Sequence, residues 1–318
     1  MIVTEVGAGT IGVSWTTLLA AQGHGVVVTD PRDDLAEVVG AGVRQFAPSL
    51  GADADELLTR VRCEADLEAA VADATLVQEQ GPEDLDLKRS LFARIGAAAP
   101  VDALLLSSTS GLQPSDIARD LDDAVAARLL VAHPFNPPHL LPLVEVVPGE
   151  RTSAGTVDRV AGVLRAAGKD PVVLRREVPG FVGNRLQSAL FREAVHLVRS
   201  GVVDPAELDR VVTGALGPRW ATGGPFLSFH LGGGAGGLRH MLAHLGPGMA
   251  RRWRDLGDPT LDDGTVDALA SATEAAYGTD RYTALTAERD RAEAAVLAAR
   301  ETRSQETQSQ ESPSQETR

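Results

Sequence analysis

Cysteine is almost absent: Cys63 stands alone among 318 residues. One thiol permits neither an internal disulfide nor a cysteine metal cluster, so a reducing compartment fits and a cytoplasmic location is expected. Aromatic residues make up only 4% of the chain, and lysine and asparagine are scarcer still, limited to Lys88, Lys169, Asn136 and Asn184. No run approaches the roughly 18 apolar residues of a membrane span, and MIVTEVGAG lacks the charged start and apolar core of a signal peptide. Positive charge is in deficit as well, with a formal net charge of -14. Nucleic acids and anionic membranes demand a basic face, so neither is an expected partner. His24, His196, His240 and His244 lack the spacing of a metal set, so no metal is expected, while His139 and His230 remain candidates to line a pocket.

Apolar residues are plentiful, at 43%, and the length suits two ordinary domains with real cores. Short β-rich runs at 3–6, 25–29, 75–78, 103–107, 129–132, 141–147 and 171–174 alternate with helical patterns at 10–22, 35–46, 53–61, 85–97 and 153–167. Such alternation marks a parallel sheet with crossover helices. After Glu177 the β signal stops. Val178, Pro179 and Gly180 open a long helix in which Leu186, Leu190, Ala194 and Leu197 keep helical spacing up to Gly201. Asp204, Pro205 and Glu207 form a capped start to another, and 262–276 and 284–300 add two more. The last stretch, ETRSQETQSQESPSQETR, is polar and repetitive and is expected to be a disordered tail. The expected layout is thus an α/β domain over 1–177, an all-α domain over 178–300 and a tail over 301–318.

The segment Gly7-Ala8-Gly9-Thr10-Ile11-Gly12 follows the first strand and opens the first helix, and Asp30 ends the second strand. In that context the glycines permit a tight turn, close approach of a pyrophosphate and tight helix packing, with the helix N-terminus facing the phosphates. The first domain is therefore expected to be a Rossmann-type doubly wound sheet that binds a dinucleotide. A carboxylate at Asp30 suits the free ribose hydroxyls of NAD and repels the extra phosphate of NADP, although Arg32 stands two residues on. Another cluster, Gly232 to Gly237, follows no strand and reads as a close-packed loop or helix start. Glu5 is an oddity, because it falls in a strand that should be buried and nothing in the sequence accounts for it.

Four residues look like a proton-handling site. His133 ends the apolar run Leu129 to Val131, and Glu145 lies among Val144, Val146 and Val147. A carboxylate among valines needs a partner, and His133 is the natural one. Paired in this way, one imidazole nitrogen is fixed and the other becomes the base that can take a proton from an alcohol. Ser110, in SSTSGL, and Asn184, in PGFVGNRL, would supply neutral hydrogen bonds to substrate oxygens. Asn136 sits in a Phe-Asn-Pro-Pro turn and reads as turn chemistry.

In order, GAGTIG, Asp30, LVQEQGPEDLDLK, SSTSGL, HPFNPP, LVEVV and PGFVGNRL resemble the motifs of the 3-hydroxyacyl-CoA dehydrogenase family, and the likeness runs from residue 2 to about 300. The resemblance implies that His133 is the catalytic base, Glu145 its orienting carboxylate, and Ser110 and Asn184 the substrate-positioning groups. It places Glu83 and Lys88 at the nicotinamide end of NAD, and it implies a homodimer through the helical domain. SSTSGL, HPFNPP and GGGAGGLRHMLAHLGP resemble the branch that acts on free hydroxy acids, such as L-carnitine and L-gulonate dehydrogenases, so a small hydroxy acid is the expected substrate. Trp220, Phe226, Phe229 and Trp253 could cage a trimethylammonium group, although core packing is the commoner fate of such aromatics and Arg251 and Arg252 add unfavourable charge. One rival is a 3-hydroxyacyl-CoA dehydrogenase of fatty-acid metabolism. Another is a non-catalytic NAD-binding protein.

Overall fold

The computed structural model describes residues 1–311, which form two compact units divided between Arg185 and Leu186. In the first unit the described residues build one eight-stranded sheet. Its strands are β1 (Ile2–Val6), β2 (Gly25–Thr29), β3 (Val61–Cys63), β4 (Leu76–Glu79), β5 (Leu104–Ser107), β6 (Leu129–Pro134), β7 (Leu143–Pro148) and β8 (Asp170–Val173). The order is β3-β2-β1-β4-β5-β6-β7-β8, and every neighbouring pair is parallel except β6 and β7. The chain crosses from edge strand β3 back to β4 beside β1, which leaves the crevice at the strand carboxyl ends where ligands bind in doubly wound folds.

Both sheet faces are covered, which is why these strands read as nearly continuous apolar runs. Val3, Val28, Leu76 and Leu106 pack on one face with Trp15, Leu18 and Val39, whereas Val6, Val77 and Leu105 pack on the other with Phe92, Ile95 and Ile117. Each such side chain fully buried stabilises by roughly 1.5–3 kcal/mol. The main covering helices are α1 (Thr10–Ala21), α2 (Leu35–Phe46), α3 (Leu85–Ala98) and α4 (Ala154–Ala166). Asp84 caps α3 by accepting from the Leu87 amide, and Ser153 caps α4 through the Thr156 amide.

A long helix, α5 (Gly183–Arg199), begins in the first unit and runs into the second, which adds α6 (Pro205–Val211), α7 (Gly217–Gly232), α8 (Gly237–Asp255), α9 (Asp263–Tyr277) and α10 (Tyr282–Glu311). Asp204 and Glu207 make the reciprocal capping box at the start of α6. Gly224, with φ 64°, breaks α7 before Pro225. The glycine cluster closes α7 and opens α8. A Cβ on Gly233 would fall 1.9 Å from the Gly237 carbonyl oxygen, so close packing explains it.

Three boundaries differ from the sequence reading. Residues 53–61 are not one helix: a short helix at Ala54–Leu58 is followed by the edge strand β3, too short to leave a periodic signal. The long helix starts at Gly183 rather than 178, because Gly180 (φ 73°) and Phe181 (φ 50°) both hold left-handed backbone conformations that a helix cannot contain. And α10 continues to Glu311, past residue 300, through a stretch rich in Glu and Gln, which are good helix formers. Residues 312–318, the rest of the expected tail, lie outside the described residues.

Candidate active site

Antiparallel pairing of β6 and β7 makes His133 and Glu145 direct register partners, and both side chains are buried. His133 Nδ1 lies 2.9 Å from Glu145 Oε2. The other carboxylate oxygen, Oε1, accepts from the amides of Val182 and Gly183 at 2.9 and 3.0 Å, where α5 begins. Burial pushes the Glu145 carboxyl up, but the His133 bond and the Gly183 and Val182 amides outweigh it and hold the group below its ordinary range. An ionised Glu145 can only accept. Nδ1 must therefore carry the proton, which leaves Nε2 with a free lone pair to act as the base.

Aromatic rings set the imidazole plane. Phe135 and Phe181 stand with ring centroids 5.1 and 5.4 Å from that of His133. Phe181 is fully buried despite its φ of 50°, a conformation that costs a bulky residue on the order of 1–3 kcal/mol and that turns the chain so the next two amides meet Glu145. Gly183 is required for contact, since a Cβ there would lie 2.3 Å from Phe135 Cζ.

Ser110 joins the group through its backbone. Asn184 Nδ2 donates to the Ser110 carbonyl at 2.7 Å. Glu83 accepts from the Ser110 amide and from the Thr109 hydroxyl, the latter at 2.5 Å. The Ser110 side chain is left exposed. Asn184 thus acts on the serine loop with one of its amide protons, and Glu83, still exposed, steadies the same loop.

Lys88 departs from expectation. Its side chain is 1% exposed, and Nζ donates to both oxygens of Glu79, at 2.7 and 2.8 Å, and to the Gly81 carbonyl at 3.1 Å. Those bonds use its three donors, so no proton remains for a nicotinamide. Glu79 also accepts from the Ser107 hydroxyl and the Gly81 amide. The pair joins the ends of β4 and β5 to α3 beneath the loops that carry Glu83 and Ser110.

The glycine loop has the shape a dinucleotide needs. Gly7 has φ 116°, and a Cβ on Gly12 would lie 2.0 Å from the Gly7 carbonyl oxygen, so neither position accepts a side chain. Around Gly9 there is open space, and as N-cap of α1 it offers no side chain to the first helical amides of Thr10 and Ile11. Asp30 braces the loop through the Ala8 amide at 2.8 Å. Arg32 is engaged by Asp34 at 2.6 Å, which draws it away from the role of a phosphate ligand.

His139 and Asn136 have structural places. His139 shares a 2.8 Å hydrogen bond with Ser14 and stacks on Phe46, while Asn136 precedes a cis peptide bond to Pro137. Trp220, Phe226 and Trp253 are not core residues as packing statistics suggested: Phe226 is 79% and Trp253 66% exposed. Among the described residues no group of three or more His, Cys, Asp or Glu side chains could hold a metal, and no helix is long and apolar enough to cross a membrane.

Comparison with known proteins follows the same lines. Residues 2–178 match the family model of the 3-hydroxyacyl-CoA dehydrogenase NAD binding domain, and residues 180–288 match that of the C-terminal domain. The L-carnitine dehydrogenase of Streptomyces griseus is 44% identical over 301 residues, covering 92% of this chain and 88% of that protein. Its counterpart from Pseudomonas aeruginosa is 41% identical, covering 94% of each. Among solved structures, the NAD+ dependent 5-formyl-3-hydroxy-2-methylpyridine 4-carboxylic acid 5-dehydrogenase superposes with a TM-score of 0.77 at 28% identity, covering 94% of this chain and 98% of that one. A 3-hydroxyacyl-CoA dehydrogenase from Archaeoglobus fulgidus gives 0.65 at 26%, covering 94% and 99%. With both family models matched, over residues 2–178 and 180–288, this chain belongs to the 3-hydroxyacyl-CoA dehydrogenase family.

Proposed function

We propose that the protein oxidises the 3-hydroxyl of a small free hydroxy acid of the L-carnitine type to the 3-oxo acid. The observation that carries this reading is the His133–Glu145 pair, in the same unit as the glycine loop and the Ser110 loop. His133 Nε2 takes the hydroxyl proton, and the ionised Glu145 stabilises the imidazolium that forms. Ser110 and Asn184 orient the substrate oxygens. The loop from Gly7 to Gly12 with Asp30 would hold NAD, which would supply the hydride acceptor.

A free acid is favoured over a CoA ester on electrostatic grounds. CoA carries several phosphate charges, yet of the cations after β2, Arg32 is paired with Asp34 and Arg44 with Asp55. The substrates named for the curated relatives point the same way. NADH formation with L-carnitine, L-gulonate and 3-hydroxybutyryl-CoA, assayed side by side, tests the choice. Turnover of the free acids supports it, whereas activity confined to the CoA ester overturns it.

The working form is a homodimer in the cytoplasm. Among the described residues beyond Leu186, Val195 is the one large apolar side chain that is fully buried, while Leu186, Phe191, Phe226, Leu231 and Trp253 are exposed. A helical unit with so little core needs a partner surface, and a second copy supplies one. Sedimentation at micromolar concentration should give twice the chain mass.

A further inference from the structure

Glu5 occupies the middle of the sheet with no role in proton transfer at His133. Its side chain is 0% exposed, and among the described residues its side chain takes one hydrogen bond, from Gln80 Nε2 to Oε2 at 2.9 Å. The remaining oxygens of the two side chains, Glu5 Oε1 and Gln80 Oε1, are buried and have no partner among the described residues. Both are acceptors if Glu5 is ionised. One proton on Glu5 Oε1 would satisfy both, because acid and amide can then exchange a hydrogen bond in each direction.

Gln80 is also what the cofactor loop rests on. A Cβ at Gly7 would lie 3.1 to 3.2 Å from the Gln80 backbone and Cβ, and one at Gly12 would lie 3.3 Å from Gln80 Cγ. We propose that Glu5, as the neutral acid, is a positioning residue for NAD: it locks the Gln80 side chain, and Gln80 supports the glycine loop from below. Ionising Glu5 breaks this lock, orphans two oxygens and puts a negative charge under the loop that receives the diphosphate. Cofactor affinity therefore falls as Glu5 loses its proton.

Among the described residues no cation is bonded to the Glu5 or Gln80 side chain. Between Thr10 and Ala21, α1 carries no ionisable group, and neither does β2 between Gly25 and Thr29. On β4, Glu79 is satisfied by Lys88. Asp30 is bonded to the Ala8 amide, His139 to Ser14, and Lys169 to carbonyls of the loop after β6. Burial accordingly pushes the Glu5 carboxyl up to about 8, and the Gln80 bond only partly opposes it.

The proposal rests on the glycine loop as the NAD site. The test is NADH fluorescence titration from pH 6.5 to 9.5 on the full-length wild type, Glu5→Gln and Glu5→Val, with proton uptake on binding counted calorimetrically in two buffers. Wild-type Kd should rise by up to about tenfold per pH unit above the titration point, with proton uptake on binding. Glu5→Gln, which keeps a donor and an acceptor for Gln80, should bind as tightly as the protonated wild type at every pH. Glu5→Val should bind more weakly and without that pH dependence. The same pH dependence in wild type and Glu5→Gln overturns the role of Glu5, whereas failure of every protein to bind NADH overturns the cofactor reading instead.

Discussion

His133 and Glu145 face each other across the one antiparallel junction of the sheet, Nδ1 to Oε2 at 2.9 Å, with the start of α5 donating two amides to the far oxygen of the same carboxylate. Strand register sets the pair, and the turn through Phe181 aims the amides. Glu145→Gln keeps the shape but lets the side chain donate to Nδ1 and favour the wrong tautomer. We expect kcat to fall by about 10²–10⁴-fold with NADH Kd within a factor of two or so. Steady-state kinetics together with NADH titration checks both.

Gly183→Ala tests the contact that closes the site. Its Cβ would lie 2.3 Å from Phe135 Cζ and 3.6 Å from Glu145 Oε2. Overpacking of this kind typically costs about 1–3 kcal/mol. Thermal unfolding should show that loss, and kcat should fall because the Phe135 ring shifts against His133. An unchanged Tm with full activity would mean the ring yields freely.

Lys88→Met separates the structural role of this lysine from a cofactor role. It leaves Glu79 buried without its cation, which should destabilise by about 3–5 kcal/mol in urea denaturation. Adding Glu79→Leu should recover much of the loss. A variant of unchanged stability with weakened NADH binding would restore Lys88 as a cofactor contact.

Glu5 leaves a mark on stability as well as binding. Its carboxyl is raised from 4.5 in the unfolded chain to about 8 in the folded one, so between those values the folded state holds the extra proton. Stability of the cofactor-free protein is therefore unpenalised below pH 4.5 and falls as pH rises towards 8, with a slope of at most about 1.4 kcal/mol per pH unit. Glu5→Gln should flatten this part of the profile in urea denaturation at a series of pH values.

The sequence made the sheet, the glycine loop and the His133–Glu145 pair legible because each depends on local pattern: apolar runs, glycine spacing and a carboxylate stranded among valines. The same reasoning, applied to Glu79 in the buried LVQE strand, pairs it with Lys88, nine residues on. Resemblance drew Lys88 towards the cofactor instead. Other features were hidden because they arise only in three dimensions. Phe135 abuts Gly183 across 48 positions of chain, and Gln80 reaches Glu5 across 75. The exposure of Phe226 and Trp253 was hidden for a different reason: an exposed aromatic carries the same apolar signature in sequence as one that fills a core.

His133 takes the substrate proton and is not needed to hold the cofactor. His133→Gln, assayed for NADH formation with L-carnitine and titrated with NADH in the same preparation, tests it most directly. Turnover should fall by about 10³-fold or more with NADH affinity intact. Turnover within tenfold of wild type would contradict it.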